Sequence, residues 1–148
     1  MNVIYQTLTK ELEEATKHLI IRGLESHWGK YDPKFNPDIS DLYATYSSSN
    51  MLVGLYRGVV VSCFGWKELG RNTAELVRVS VSQDYQRTGV GSELLKEAEM
   101  YLHNLGYELL VLETTSSWVN VVKFYLKNGY LVTHSKGGDT YFQKILSN

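Results

Sequence analysis

Between residues 73 and 112 the chain reads strand, glycine turn, helix, strand, and that order constrains what the rest can fold into. Leu76, Val77, Val79 and Val81 mark a strand over residues 73–82, and Leu94, Leu95, Ala98, Leu102 and Leu105 recur at helical spacing over residues 93–105. Gly106 is a natural helix stop, and residues 107–112 form a second strand whose unbroken apolar run suits burial on both faces. A strand–helix–strand unit of this kind joins parallel neighbours by a right-handed crossover. The turn inside it is Gln86-Arg87-Thr88-Gly89-Val90-Gly91, followed by Ser92. Glycines at a helix start let an anion approach free backbone N–H groups at the positive end of the dipole, which makes this stretch a candidate diphosphate cradle.

The flanking segments read as smaller pieces of the same sheet. Val3, Ile4 and Tyr5 form a short first strand, and Thr9 caps a helix running to about Leu24, with Leu12, Ala15, Leu19 and Ile20 on its apolar face and Gly23 near its end. Residues 26–41 are irregular, punctuated by Gly29, Pro33 and Pro37, and a short helix follows from Asp38 or Ser40 to Tyr46. Residues 51–56 and 59–66 make an antiparallel hairpin around Arg57-Gly58, and residues 69–72 make the next turn. After the central unit, residues 114–117 cap a helix over 118–127 that ends at Asn128-Gly129. A terminal hairpin follows, 130–135 with 140–146, closed by Lys136-Gly137-Gly138-Asp139. The expectation is an α/β fold: a mixed sheet of about seven strands with about four helices on both faces, in one domain over residues 1–148.

Composition narrows the function classes. At 148 residues the chain can bury one sizeable core, and 43% hydrophobic with 21% charged residues is ordinary for a globular domain. A formal net charge of -1 without basic runs argues against a nucleic-acid binder. No apolar segment approaches the roughly 20 residues that span a bilayer. The single cysteine, Cys63, reads as an inert core thiol, and a cytoplasmic setting follows. No His/Cys/Asp/Glu cluster has metal-ligand spacing, so no metal is expected.

The glycine turn can be tested against known diphosphate cradles. A nucleoside-triphosphate loop needs Lys-Ser/Thr after its second glycine, and none stands here. A dinucleotide turn needs a third small residue, where this chain has Leu94, although Glu113 sits near the place of a ribose-binding acid. Residues 73–130 instead resemble the GNAT acetyltransferase superfamily. Gln86-Arg87-Thr88-Gly89-Val90-Gly91 matches its Arg/Gln-x-x-Gly-x-Gly/Ala motif; Ala74-Glu75-Leu76-Val77-Arg78-Val79-Ser80-Val81 is similar to its entering strand; Tyr125-Leu126-Lys127-Asn128-Gly129-Tyr130 is similar to its Tyr-x-x-x-Gly-aromatic helix end.

That resemblance implies the GNAT fold and acetyl-CoA as co-substrate. It implies an acyl-CoA-dependent N-acyltransferase, in which the primary amine of a small molecule, amino acid or peptide attacks the thioester directly. The diphosphate would rest on Gln86, Arg87, Thr88, Gly89, Val90, Gly91 and Ser92, and the pantetheine arm would pair with Val79, Ser80 and Val81. Seven residues before the helix tyrosine, where the family often carries a cofactor-contacting Asn, stands Trp118; Asn120, two residues on, is the candidate contact from this helix. Glu75 takes the position of a water-relaying general base, and Tyr125 that of the acid for the departing thiolate. Trp28, Tyr31 and Asp32 are the candidate acceptor contacts. The reading expects neither a nucleic-acid nor a membrane partner and admits a homodimer. A non-catalytic acyl-CoA sensor using the same cradle is the competing class.

Overall fold

The computed structural model describes residues 1–46 and 50–147. It contains one seven-stranded mixed sheet in the order β1-β2-β3-β4-β5-β7-β6. The strands are β1 (Ile4–Thr7), β2 (Met51–Tyr56), β3 (Val59–Gly70), β4 (Thr73–Val81), β5 (Leu109–Thr115), β6 (Leu131–Lys136) and β7 (Asp139–Ile145). The α-helices are α1 (Glu13–Trp28), α2 (Pro37–Ser40), α3 (Leu42–Tyr46), α4 (Val90–Asn104) and α5 (Val119–Lys127). The chain divides into two compact units, Met1–Gly65 with Arg78–Leu94, and Trp66–Val77 with Leu95–Asn148.

In the first unit β1, β2 and the first half of β3 form an antiparallel meander. Met51, Val53, Val61, Cys63 and Phe64 are fully buried, with Ile39 and Leu42 from the short helices. Gly54 is obligatory here: a Cβ would collide with Ser62 Oγ and come within 2.9 Å of Tyr5 and Val3. Helix α1 continues four residues past the expected Leu24. Gly23 is tolerated inside it, its carbonyl accepting from Ser26 Oγ at 2.7 Å, while Gly29, at φ 79°, supplies the left-handed stop. Ala15 is exposed and Thr16 takes the buried place, its hydroxyl donating to Leu12 O at 2.7 Å.

In the second unit β4 pairs in parallel with β5, Thr73, Ala74 and Glu75 facing Leu109, Leu110 and Val111. β5 is antiparallel to β7, and β7 to β6. The expected burial of β5 on both faces is corrected. Leu110, Leu112 and Thr114 are buried, Leu109 and Val111 only partly, and Glu113 is exposed, the alternation of a strand covered on one side. Helix α4 buries Leu94, Leu95, Ala98 and Leu102, but Leu105 lies past its end and is 55% exposed. There Gly106 at φ 103° lets Tyr107 N–H reach back to Leu102 O at 3.1 Å. The terminal hairpin turns through Gly137 and Gly138, both at positive φ as a two-residue turn demands. β6 is exposed along its whole length, and its register with β7 shifts between Val132 and His134.

Candidate functional site

In the first unit, β4 leads through a 3-10 turn (Gln83–Tyr85) into the glycine stretch. Ser82 N–H donates to Val61 O at 2.8 Å, and the Thr88 hydroxyl donates to Tyr85 O. Arg87 adopts φ 65° and Gly89 φ 91°. Nothing lies within 4 Å of a Cβ built on Gly89, so this glycine is there for its backbone conformation and not for crowding. α4 begins at Val90, three residues earlier than the sequence spacing indicates, with Val90 itself buried as the anchor. The first bond of the helix is Glu93 N–H to Gly89 O at 3.0 Å.

The backbone N–H groups of Arg87, Thr88, Gly89, Val90, Gly91 and Ser92 therefore have no acceptor among the described residues. Gln86 N–H is taken by Gln83 O at 3.4 Å. Six consecutive donors at the positive end of a 15-residue helix are chemically suited to the several oxygens of a diphosphate. The side chain of Arg87 is exposed beside them.

Upstream of this turn the sequence reading missed a polar clasp. Arg78, in the middle of β4, has φ 51°, a left-handed conformation that costs a non-glycine residue about 1–3 kcal/mol. Its Nε donates to Asp38 Oδ2 at 2.9 Å, and Nη2 donates to Asp38 Oδ1 at 2.7 Å and Asn36 Oδ1 at 3.0 Å. Tyr46 Oη donates to Asp38 Oδ2 at 2.7 Å. Burial opposes ionisation of Asp38, yet the bonds from Arg78 and Tyr46 and the Arg78 charge hold its carboxyl below the usual range. The one available signal was an arginine at the third place of the alternating series Ala74, Leu76, Arg78, where the pattern calls for an apolar side chain. Cys63, fully buried, donates its thiol to Arg78 O at 3.5 Å, and burial pushes that thiol up to about 12.

Val79, Ser80 and Val81 are half-buried directly after this residue, and Ser80 Oγ donates to Arg78 O at 3.3 Å. Of the three candidate acceptor contacts, Trp28 is 57% exposed at the end of α1. Tyr31 and Asp32 are half-buried, and Asp32 Oδ1 accepts from Lys34 N–H at 2.9 Å as the cap of a 3-10 turn.

In the second unit Glu75 lies half-buried on β4. Strand register places it opposite Val111, with Glu113 two residues further along β5 and opposite Tyr141 on β7. Period two puts Glu75, Glu113 and Tyr141 on the same face of the sheet. The His134 ring stacks on Tyr141, centroids 4.2 Å apart and planes 7° apart. Burial first, then the Glu113 charge, raise the Glu75 carboxyl above its ordinary value, with Lys67 opposing. Glu113, which the sequence offers only as a ribose-binding look-alike, is thus the charge that tunes Glu75.

Tyr125 on α5 is only 6% exposed and packs against Tyr130 and Phe142, each with centroids 5.6 Å away. Burial raises its phenol, and its hydroxyl has no hydrogen-bond partner among the described residues. Tyr130 is held in turn: its hydroxyl donates to Glu99 Oε2 at 2.9 Å. Lys144 Nζ donates to Glu99 Oε1 and to Asn128 O, both at 2.9 Å. Asn120 is exposed on the first turn of α5, and Trp118 is half-buried at its N-cap. Among the described residues no group of three or more His, Cys, Asp or Glu side chains is placed to hold a metal, and no helix is long and apolar enough to cross a membrane.

Comparison with known proteins places this geometry. The model of the acetyltransferase (GNAT) family matches residues 14–130. The "Probable N-acetyltransferase 14" of Xenopus tropicalis is 31% identical over 102 residues, covering 66% of this chain and 50% of that protein. The chain thus spans about half the length of that curated relative. Among solved structures, a GNAT-family acetyltransferase of Staphylococcus aureus Mu50 superposes with TM-score 0.85 at 16% identity, over 99% of this chain and 100% of its own. The paia N-acetyltransferase of Thermoplasma acidophilum, solved in complex with coenzyme A, superposes with TM-score 0.82 at 21% identity, over 98% and 99%. These likenesses show a shared fold.

Proposed function

We propose, from the premise that this chain belongs to the acetyltransferase (GNAT) family, that it moves an acetyl group from acetyl-CoA to a primary amine of a small molecule, amino acid or peptide. The observation that carries the reading is the run of six unpartnered N–H groups from Arg87 to Ser92. They hold the diphosphate, with Arg87 adding charge, and the pantetheine amides pair with the backbone of Val79, Ser80 and Val81. A helix dipole contributes only about 0.3–2 kcal/mol to an anion, so individual hydrogen bonds supply the larger share.

An alkyl amine with pKa near 10.4 arrives mostly as ammonium. Glu75, raised by burial and by Glu113, takes the proton through water, and the neutral amine attacks the thioester carbon. A backbone N–H near Val81 receives the developing oxyanion. As the C–S bond breaks, Tyr125 donates its phenolic proton to the thiolate. Burial raises that phenol and keeps it protonated at neutral pH, so its proton is released only to the thiolate charge that develops beside it. In this reading Asn120 is assigned a further cofactor contact, and Trp28, Tyr31 and Asp32 are assigned to the acceptor amine. A cytoplasmic setting belongs to the same reading, supported by a single cysteine that is wholly buried.

The test is release of free coenzyme A thiol from acetyl-CoA across a panel of amines, amino acids and peptide N-termini. Amine-dependent release supports the transferase. Tight acetyl-CoA binding with no release on any amine overturns it in favour of a sensor.

A further inference from the structure

The geometry points to Arg78 as a positioning residue for the pantetheine arm, acting through the bend it imposes on β4; this rests on the acetyl-CoA reading above. A left-handed non-glycine residue inside a strand persists only where its surroundings over-determine it. Here they do. The guanidinium is gripped at two points by Asp38 and at a third by Asn36, and Tyr46 holds Asp38 from the other side. The peptide carbonyl of the same residue is engaged by Cys63 Sγ at 3.5 Å and Ser80 Oγ at 3.3 Å. Side chain and main chain of Arg78 are therefore fixed independently, and only 20% of the side chain is exposed.

Val79, Ser80 and Val81 follow that torsion without an intervening turn. Were Arg78 to relax into the extended region at φ near −120°, the alternation of the strand would resume and the N–H and C=O groups of these three residues would turn away from their present directions. Those groups are the ones the arm's amides pair with. The clasp thus sets the direction of the arm while touching no atom of it. The fork of Arg is needed for this, because lysine is a point charge without a fixed two-point geometry.

The test uses calorimetric titration of the full chain with two probes: acetyl-CoA, and ADP, which carries a diphosphate but no arm. Arg78→Met and Asp38→Asn are expected to weaken acetyl-CoA about tenfold or more, by loss of preorganisation, while ADP stays within about twofold. Arg78→Gly adopts the bend without steric cost but no longer enforces it, and is expected to weaken acetyl-CoA to the same degree. Arg78→Lys should fall between wild type and Arg78→Met. Unchanged acetyl-CoA affinity, or parallel loss of both probes in step with a fall in Tm, overturns the positioning role. Wild-type protein that binds neither probe overturns the donor reading instead. Amide hydrogen exchange at residues 79–82 then decides the clasp, since equal protection in wild type and Asp38→Asn would sink it and faster exchange in the variant would sustain it.

Discussion

The ring of Tyr125 meets the ring of Tyr130 nearly edge-on, centroids 5.6 Å and planes 74° apart, while the Tyr125 hydroxyl takes no part in the packing network that fixes Tyr130. Packing and chemistry are therefore separable at this residue. Tyr125→Phe keeps the edge-to-face contact and removes only the hydroxyl. It should leave Tm and acetyl-CoA affinity near wild type and lower kcat by about 10²–10⁴, the usual range for losing a general acid. Steady-state kinetics beside a calorimetric Kd checks this; equal kcat in the two proteins would remove the acid from the mechanism.

Glu75 should show the opposite balance between stability and activity. Its folded pKa is raised, so its contribution to stability is complete at low pH and is lost as pH rises through that value. Glu75→Gln cannot ionise and escapes the repulsion from Glu113. A gain of about 1–2 °C in Tm at pH 7, vanishing below about pH 4, is expected together with a fall in kcat/KM. Thermal melts across pH, run with initial rates from pH 6 to 9, provide the measurement.

Asp38 has the reverse sign. Its folded pKa lies below the ordinary value, so it stabilises the fold above about pH 3.9 and that contribution disappears as pH falls through the depressed value. Asp38→Asn should cost about 1–2 kcal/mol at pH 7, between exposed and fully buried ion pairs. Urea unfolding curves of the two proteins should converge as pH falls through the depressed value of Asp38. A difference that persists there would place the loss in packing and not in charge.

Lys144 stabilises the end of α5 and Tyr130 together, through Asn128 O, Glu99 and the Tyr130 ring at 5.3 Å. Lys144→Met keeps the apolar stem but leaves Glu99 without its cation. The expected loss is about 1.5–3 kcal/mol, the value of a hydrogen bond to a charged group, with amide exchange accelerating first around residues 126–130. Denaturant midpoints and exchange rates would show it.

What could be read from residue order was local. The glycine turn, the buried stripe of Leu94, Leu95, Ala98 and Leu102, and the two-glycine hairpin each depend on neighbours within one or two helical turns. The family motif carried the fold, because its three segments stand in order along residues 73–130. The end of α1 was misread because Gly23 and Gly29 look alike in sequence; only the backbone shows which one turns left-handed. The full burial expected of β5 failed because an unbroken apolar run does not say how many faces are covered. The Arg78–Asp38 pair was out of reach for a different reason: its partners lie 40 positions apart, and nothing local marks one as the other's counter-ion. The pairing of Glu113 with Tyr141 depends on strand register, which residue order leaves open.

The shift in register on β6 has a consequence for the molecule in solution. An outermost strand with every residue in water, carrying Leu131 and Val132 at 65% and 48% exposure, is a template on which further chains can grow. The offset at Thr133 interrupts the row of main-chain donors and acceptors and coils the rim away from flatness, and Lys136 adds charge at its far end. Colloidal behaviour at this border therefore hangs on a single surplus residue. Shortening β6 by that one position would straighten the rim into a continuous ribbon, open to the addition of further strands.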